Sequence, residues 1–204
     1  MRAVIFDYGA GNLHSLAKAL EGDGVTVHVE PDPQRAVAGD VLVLPGVGAF
    51  GAAVARMEDG RDVMRSAILG GLPTIGICLG MQLLFDASDE GPGAGLGVIP
   101  GRVSRLIAKR VPQIGWNDLR LVETEPLFAQ APLPIAYYAN SYVCRPDDNR
   151  TVIAWSSHEG DEFPAAVRVG CTIGVQFHPE KSSTAGVRFL HAFLRESKGT
   201  GASR

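Results

Sequence analysis

The sequence predicts a three-layer α/β fold: a mostly parallel sheet, helices on both of its faces, and a β-rich second half. Three observations carry that prediction. Short, largely apolar runs at 3–6, 41–44 and 74–77, continuous at 41–44, have the length and composition of buried parallel strands. Helix-period stretches separate them, so strand and helix alternate as in a sheet built from right-handed crossovers. Beyond about residue 101 the pattern changes to a succession of short strands.

The run 3–6 predicts the first buried strand. The turn-rich Tyr8-Gly9-Ala10-Gly11 follows, and Asn12 is placed to cap a helix. In that helix Leu13, Leu16, Ala17 and Leu20 share one side, while His14, Lys18 and Glu21 face away. Val25, Val27 and Val29 alternate with Thr26 and His28, which predicts a strand buried on one face and near an edge. Residues 41–44 suit a central strand. Pro45-Gly46-Val47-Gly48-Ala49-Phe50 then leads into a helix with Phe50, Ala53, Val54 and Met57 on one side. Residues 74–77 predict another buried strand, with a short helical run over 80–85. The Gly/Pro-rich stretch 91–101 reads as a loop. Strands are expected over 102–108, 118–122, 135–144, 152–156, 165–169 and 172–177. A last helix over 185–197 aligns Val187, Leu190 and Leu194. One domain spanning 1–198 is expected, with 199–204 a frayed tail.

Bulk properties narrow the function classes. The chain has 204 residues, 46% hydrophobic and 20% charged, which suits a folded domain with a large core. Its net charge of -3, from 19 basic and 22 acidic residues, argues against a nucleic-acid partner. No apolar stretch approaches the ~20 residues of a membrane span, and the N-terminus lacks a signal-peptide pattern. A cytoplasmic location is the expectation. The three cysteines, Cys78, Cys144 and Cys171, form no C-x-x-C pair and fit free thiols in a reducing compartment. The five histidines show no metal-ligand spacing, so neither metal nor cofactor is expected. Gly9-x-Gly11 lacks the third glycine of a dinucleotide fingerprint.

Gly76-Ile77-Cys78-Leu79-Gly80 places a nucleophile between glycines directly after a buried strand. A sharp strand-to-helix turn crowds its neighbours, so small residues are needed there. The following helix N-terminus favours a thiolate, and the Leu79 N–H could face a developing oxyanion. By itself this motif leaves two readings open, a catalytic thiol or a buried structural cysteine beside turn glycines. His178-Pro179-Glu180 shifts the balance. It follows the strand pattern of residues 174–177, and it offers an imidazole base with a carboxylate to fix its tautomer. Pro45-Gly46-Val47-Gly48, after a central strand, could bring a second backbone donor; alone it reads as a plain turn.

These blocks resemble a known family. Gly-Ile-Cys-Leu-Gly-Met-Gln (76–82) and Gly-Val-Gln-Phe-His-Pro-Glu (174–180) look like the two signature blocks of class I glutamine amidotransferases. Tyr-Gly-Ala-Gly-Asn-Leu (8–13), Pro-Gly-Val-Gly-Ala-Phe (45–50) and Val-Pro-Gln-Ile-Gly-Trp-Asn (111–117) are similar to those of the glutaminase subunits of imidazole glycerol phosphate synthases. The resemblance covers nearly the whole chain and implies a flavodoxin-like glutamine amidotransferase fold. It implies a glutaminase with Cys78 as nucleophile, His178 as base and then acid, and Glu180 as its orienter. Gly48 and Leu79 would lie at the oxyanion site, and Gln82, Ser141 and Tyr142 would line the glutamine pocket. Gln113, Trp116 and Asn117 would belong to the surface facing a partner; without the resemblance they read as an ordinary turn with a core Trp. The implied partner is a separate (β/α)8-barrel cyclase subunit, which would take the ammonia to make imidazole glycerol phosphate and aminoimidazole carboxamide ribotide. One departure stands out: Asn140 precedes the Ser-Tyr pair where the family often has His. The alternatives are a glutaminase feeding another synthase, of anthranilate or GMP type, and a silent regulatory subunit.

Overall fold

Strand β1 (Arg2–Phe6) is apolar from Ala3 to Phe6 because both of its faces are covered there. A computed structural model of the chain shows this directly, and it describes all residues except Ala10, Asn12, Asp23, Glu123, Thr124, 201–204 and the Thr200 side chain. Helix α1 (Leu13–Leu20) leads to β2 (Thr26–Glu30), and a short α2 (Pro33–Ala36) leads to β3 (Val41–Leu44). Helices α3 (Phe50–Met57) and α4 (Arg61–Leu69) precede β4 (Thr74–Ile77), and α5 (Leu79–Gln82) starts one residue beyond it. Successive side chains of a strand point to opposite faces. Ala3, Ile5, Val41, Val43, Ile75 and Ile77 therefore enter one core, shared with α1. Val4, Phe6, Leu42 and Leu44 enter the other, shared with α3 and α4.

The second half adds β5 (Ala87–Ser88), β6 (Gly101–Arg105), β7 (Gln113–Asp118), β8 (Arg120–Leu121), α6 (Pro126–Gln130), β9 (Ile135–Asn140) and β10 (Tyr142–Pro146). It closes with β11 (Val152–His158), β12 (Asp161–Val169), β13 (Thr172–Val175) and α7 (Ser183–Thr200). The main sheet runs β2-β1-β3-β4-β13-β12-β11-β8. Its first five strands are parallel, in the flavodoxin-like order, and the last three are antiparallel. Among the described residues, two smaller sheets, β10-β6-β5 and the ribbon β7-β9, accompany it. Among the described residues no helix is long and apolar enough to cross a membrane.

The largest consequence for the site is the place of β13. It comes late in the chain yet sits beside β4 at the centre, with Val175 opposite Ile77. The segments that follow these two strands therefore leave the sheet side by side.

Several expectations are corrected. The single strand expected over 135–144 is broken at Ser141, because β9 pairs with β7 while β10 pairs with β6. Residues 113–118 form a strand where a turn could have been read. Helices α2, α4 and α6 were not anticipated. Asp32 caps α2 and Glu125 caps α6, each followed by a proline in the first turn. The backbone of residues 199 and 200 lies within α7, and 201–204 lie outside the described residues. The cap expected of Asn12 lies outside the described residues.

Candidate active site

Cys78 occupies the turn between β4 and α5 with φ 47° and ψ -102°, a conformation that L side chains rarely adopt. Its neighbours leave no room. A Cβ on Gly76 would meet the Gly80 carbonyl at 2.5 Å, and one on Gly80 would overlap the Leu44 carbonyl. The glycines at both ends of the motif are thus steric requirements of the elbow. The Cys78 N–H donates to the Val175 carbonyl at 2.6 Å, which pins the turn to β13. Leu79 opens α5, so its N–H has no acceptor one turn earlier in the helix.

His178 follows β13, is almost fully buried, and faces the Cys78 thiol. Its Nδ1 lies 2.9 Å from Oε1 of Glu180. The link is short because Pro179 starts a single helical turn, Pro179–Lys181. Burial by itself would lower the imidazole pKa. The hydrogen bonds and negative charges of Cys78 and Glu180 outweigh it and lift the value to about 9. Gly46 makes space for the ring, since a Cβ there would stand 2.9 Å from His178 Cε1 and 3.2 Å from Nδ1. Behind this loop the buried Tyr8 hydroxyl donates to the Pro45 carbonyl. Burial first, then the charges of Cys78 and Asp7, push that phenol well above its usual range.

Cys78 and His178 open onto a cleft of about 260 Å³. Gly48 and Leu79 line it, as do Gln82, Ser141 and Tyr142. Gly48 has φ 134°, which favours glycine, and packs against Leu79. Gln82 Nε2 donates to the Tyr142 carbonyl at 3.1 Å, and Asn140 Nδ2 donates to the same oxygen at 3.2 Å. Oδ1 of Asn140 is buried without a hydrogen-bond partner. All the sequence-predicted catalytic, oxyanion and pocket residues are therefore gathered around one cleft, apart from Glu180 standing behind His178.

Of the three residues expected to face a partner, Trp116 alone is more than half exposed. Gln113 is buried, and Asn117 is half-buried with Nδ2 donating to the Ser157 carbonyl at 2.5 Å. Strand alternation sends these two inward and turns Ile114 and Trp116 outward, 67% and 51% exposed. Two residues of the site were missed. Glu90 lines the cleft and accepts from the Phe50 N–H at 3.1 Å; it sits beside a Gly/Pro loop with no periodic signal to mark it. Gln176 is fully buried, and its Nε2 lies 3.5 Å from Cys78 Sγ. An amide at the end of the apolar run 173–175 was the signal for it.

The sequence pattern that defines glutamine amidotransferase class-I matches residues 4–196. The chain belongs to that family. Two similar relatives carry the name imidazole glycerol phosphate synthase subunit HisH. The one from Methanothermobacter thermautotrophicus is 44% identical, over 93% of this chain and 96% of its own. The one from Symbiobacterium thermophilum is 45% identical, over 93% and 91%. Among solved structures, one described as a glutamine amidotransferase shares the fold at a TM-score of 0.74 and 21% identity, covering 96% of this chain and 98% of its own. Membership in this glutamine amidotransferase family fits what the cleft can do, which is to add a thiol to an amide carbonyl beside a buried base.

Proposed function

We propose that this glutamine amidotransferase is the glutaminase subunit of an imidazole glycerol phosphate synthase, and that Cys78, His178 and Glu180 carry its chemistry. The carrying observation is the Cys78 elbow sharing one cleft with a His178 whose Nδ1 is 2.9 Å from Glu180. Cys78 attacks the side-chain amide carbon of glutamine, and His178 gives its proton to the departing ammonia. Water then hydrolyses the glutamyl thioester, with His178 taking a proton from it, and glutamate leaves. Glu180 holds the tautomer and orientation of His178. The N–H groups of Gly48 and Leu79 stabilise the oxyanion. Gln82, Ser141 and Tyr142 hold the substrate, and the Glu90 carboxylate matches its α-ammonium group.

The partner is a (β/α)8-barrel cyclase subunit that uses the ammonia to form imidazole glycerol phosphate and aminoimidazole carboxamide ribotide. Supporting this are the names of the relatives and the outward Ile114 and Trp116 on the β7–β9 ribbon. All three cysteines are free thiols, which suits a reducing cytoplasm.

Cys78→Ala tests the reading. The variant should fold and bind the cyclase but lose glutamine hydrolysis; substantial residual glutaminase activity would refute it. The wild-type chain should turn over slowly alone and faster with the cyclase and its nucleotide ligand. Equal rates in the two conditions would argue for a different synthase.

A further inference from the structure

Three hydrogen bonds form a closed ring beneath the base. The His178 N–H donates to the Tyr137 carbonyl at 2.8 Å. The Tyr137 N–H donates to Ser182 Oγ at 2.9 Å, and the Ser182 hydroxyl donates to the His178 carbonyl at 2.7 Å. Ser182 is fully buried and ends the turn that carries Glu180. A serine hydroxyl donates one bond while accepting another, which is what closing this ring requires. The ring reaches the surface through Tyr137. That residue stands opposite Trp116 in the β7–β9 register, and the two rings meet edge to face with centroids 6.2 Å apart.

We propose that Ser182 is a positioning residue that couples partner docking on the β7–β9 ribbon to the orientation of His178. The proposal rests on the reading of His178 as base and the cyclase as partner. Tyr137 holds the base from two sides, directly through its carbonyl and indirectly through its N–H and Ser182. Any shift of β9 under a docked partner therefore carries the His178 backbone with it as one body. Without the Ser182 hydroxyl, His178 hangs from Tyr137 by a single bond and can pivot.

The test uses Ser182→Ala in the full chain, with and without the cyclase and its nucleotide ligand. In the complex kcat should fall about tenfold, while the KM for glutamine and the Kd for the cyclase stay within about twofold. The slow rate of the isolated chain should change little. A variant stimulated by the cyclase as strongly as wild type would overturn the coupling. So would a fall in kcat shared equally by isolated chain and complex, which would leave Ser182 supporting His178 alone. A wild-type chain that the cyclase does not stimulate would overturn the function proposed above and the coupling with it. Should Ser182→Ala fail to fold, the wild type decides by proton NMR of the His178 Nδ1–H that faces Glu180. Docking the cyclase should move that resonance, and a resonance that stays put sinks the coupling.

Discussion

Gly46 decides how close the loop after β3 can stand to the imidazole. A methyl group there would press on Cε1 and Nδ1 of His178 and on Ile77. Gly46→Ala should therefore lower kcat by about ten- to a hundredfold, because a displacement near 1 Å at a reacting group costs that much. Thermal unfolding should change little; a large loss of stability with normal kcat would contradict this account. The charge on His178 gives a second expectation. Its pKa rises from 6.5 to about 9, lifted by Cys78 and Glu180 against burial. A raised pKa stabilises the folded chain fully below about pH 6.5, and that stabilisation is lost as pH rises through about 9. It amounts to roughly 3 kcal/mol. Urea titrations of wild type and His178→Gln should converge by that amount between pH 6.5 and 9; a gap independent of pH would argue against it. At this scale Cys78 was legible as a candidate nucleophile because its flanking glycines record a steric demand, and His178 and Glu180 were legible as a closely spaced pair at the end of a strand pattern. Glu90 was not, since only tertiary contacts bring it to the cleft.

The β4–α5 elbow and the β7–β9 ribbon both use glycine, for different reasons. A Cβ on Gly80 would collide with backbone at Leu44, whereas one on Gly115 has nothing within 4 Å and faces only a φ of 132°. Gly80→Ala should cost more than about 4 kcal/mol, or prevent folding, because neither backbone segment can give way. Gly115→Ala should cost about 1–3 kcal/mol, the strain of its backbone alone. Chemical denaturation of the two variants measures the contrast, and similar losses would mean the Leu44 contact relaxes. Elements buried on both faces were readable as short, largely apolar runs. The break at Ser141 was not, because alternation along a strand says nothing about which sheet it joins. The acidic-Pro pairs at 32–33 and 125–126 were readable cap signals for α2 and α6 that passed unread. The strand that turns Gln113 inward was not legible either, because its register is set by the distant β9.

The whole molecule presents the half-exposed Trp116 on a ribbon rather than in a core. Trp116→Ala should leave thermal stability nearly unchanged and weaken cyclase binding by about 2 kcal/mol, close to thirtyfold in Kd. Unchanged affinity measured by calorimetry would remove Trp116 from the interface. The sheet order β4-β13-β12 carries one more implication. Gln176 and Cys78 touch across 98 residues of chain. During synthesis, β1 to β4 emerge long before β13, so the central pairing closes late and the fold is rich in distant contacts, which slows folding. A nascent chain holding Cys78 has no base beside it until residue 178 has been added. Under the proposed mechanism, full hydrolytic activity therefore waits until β13 and the His178 that follows it are in place.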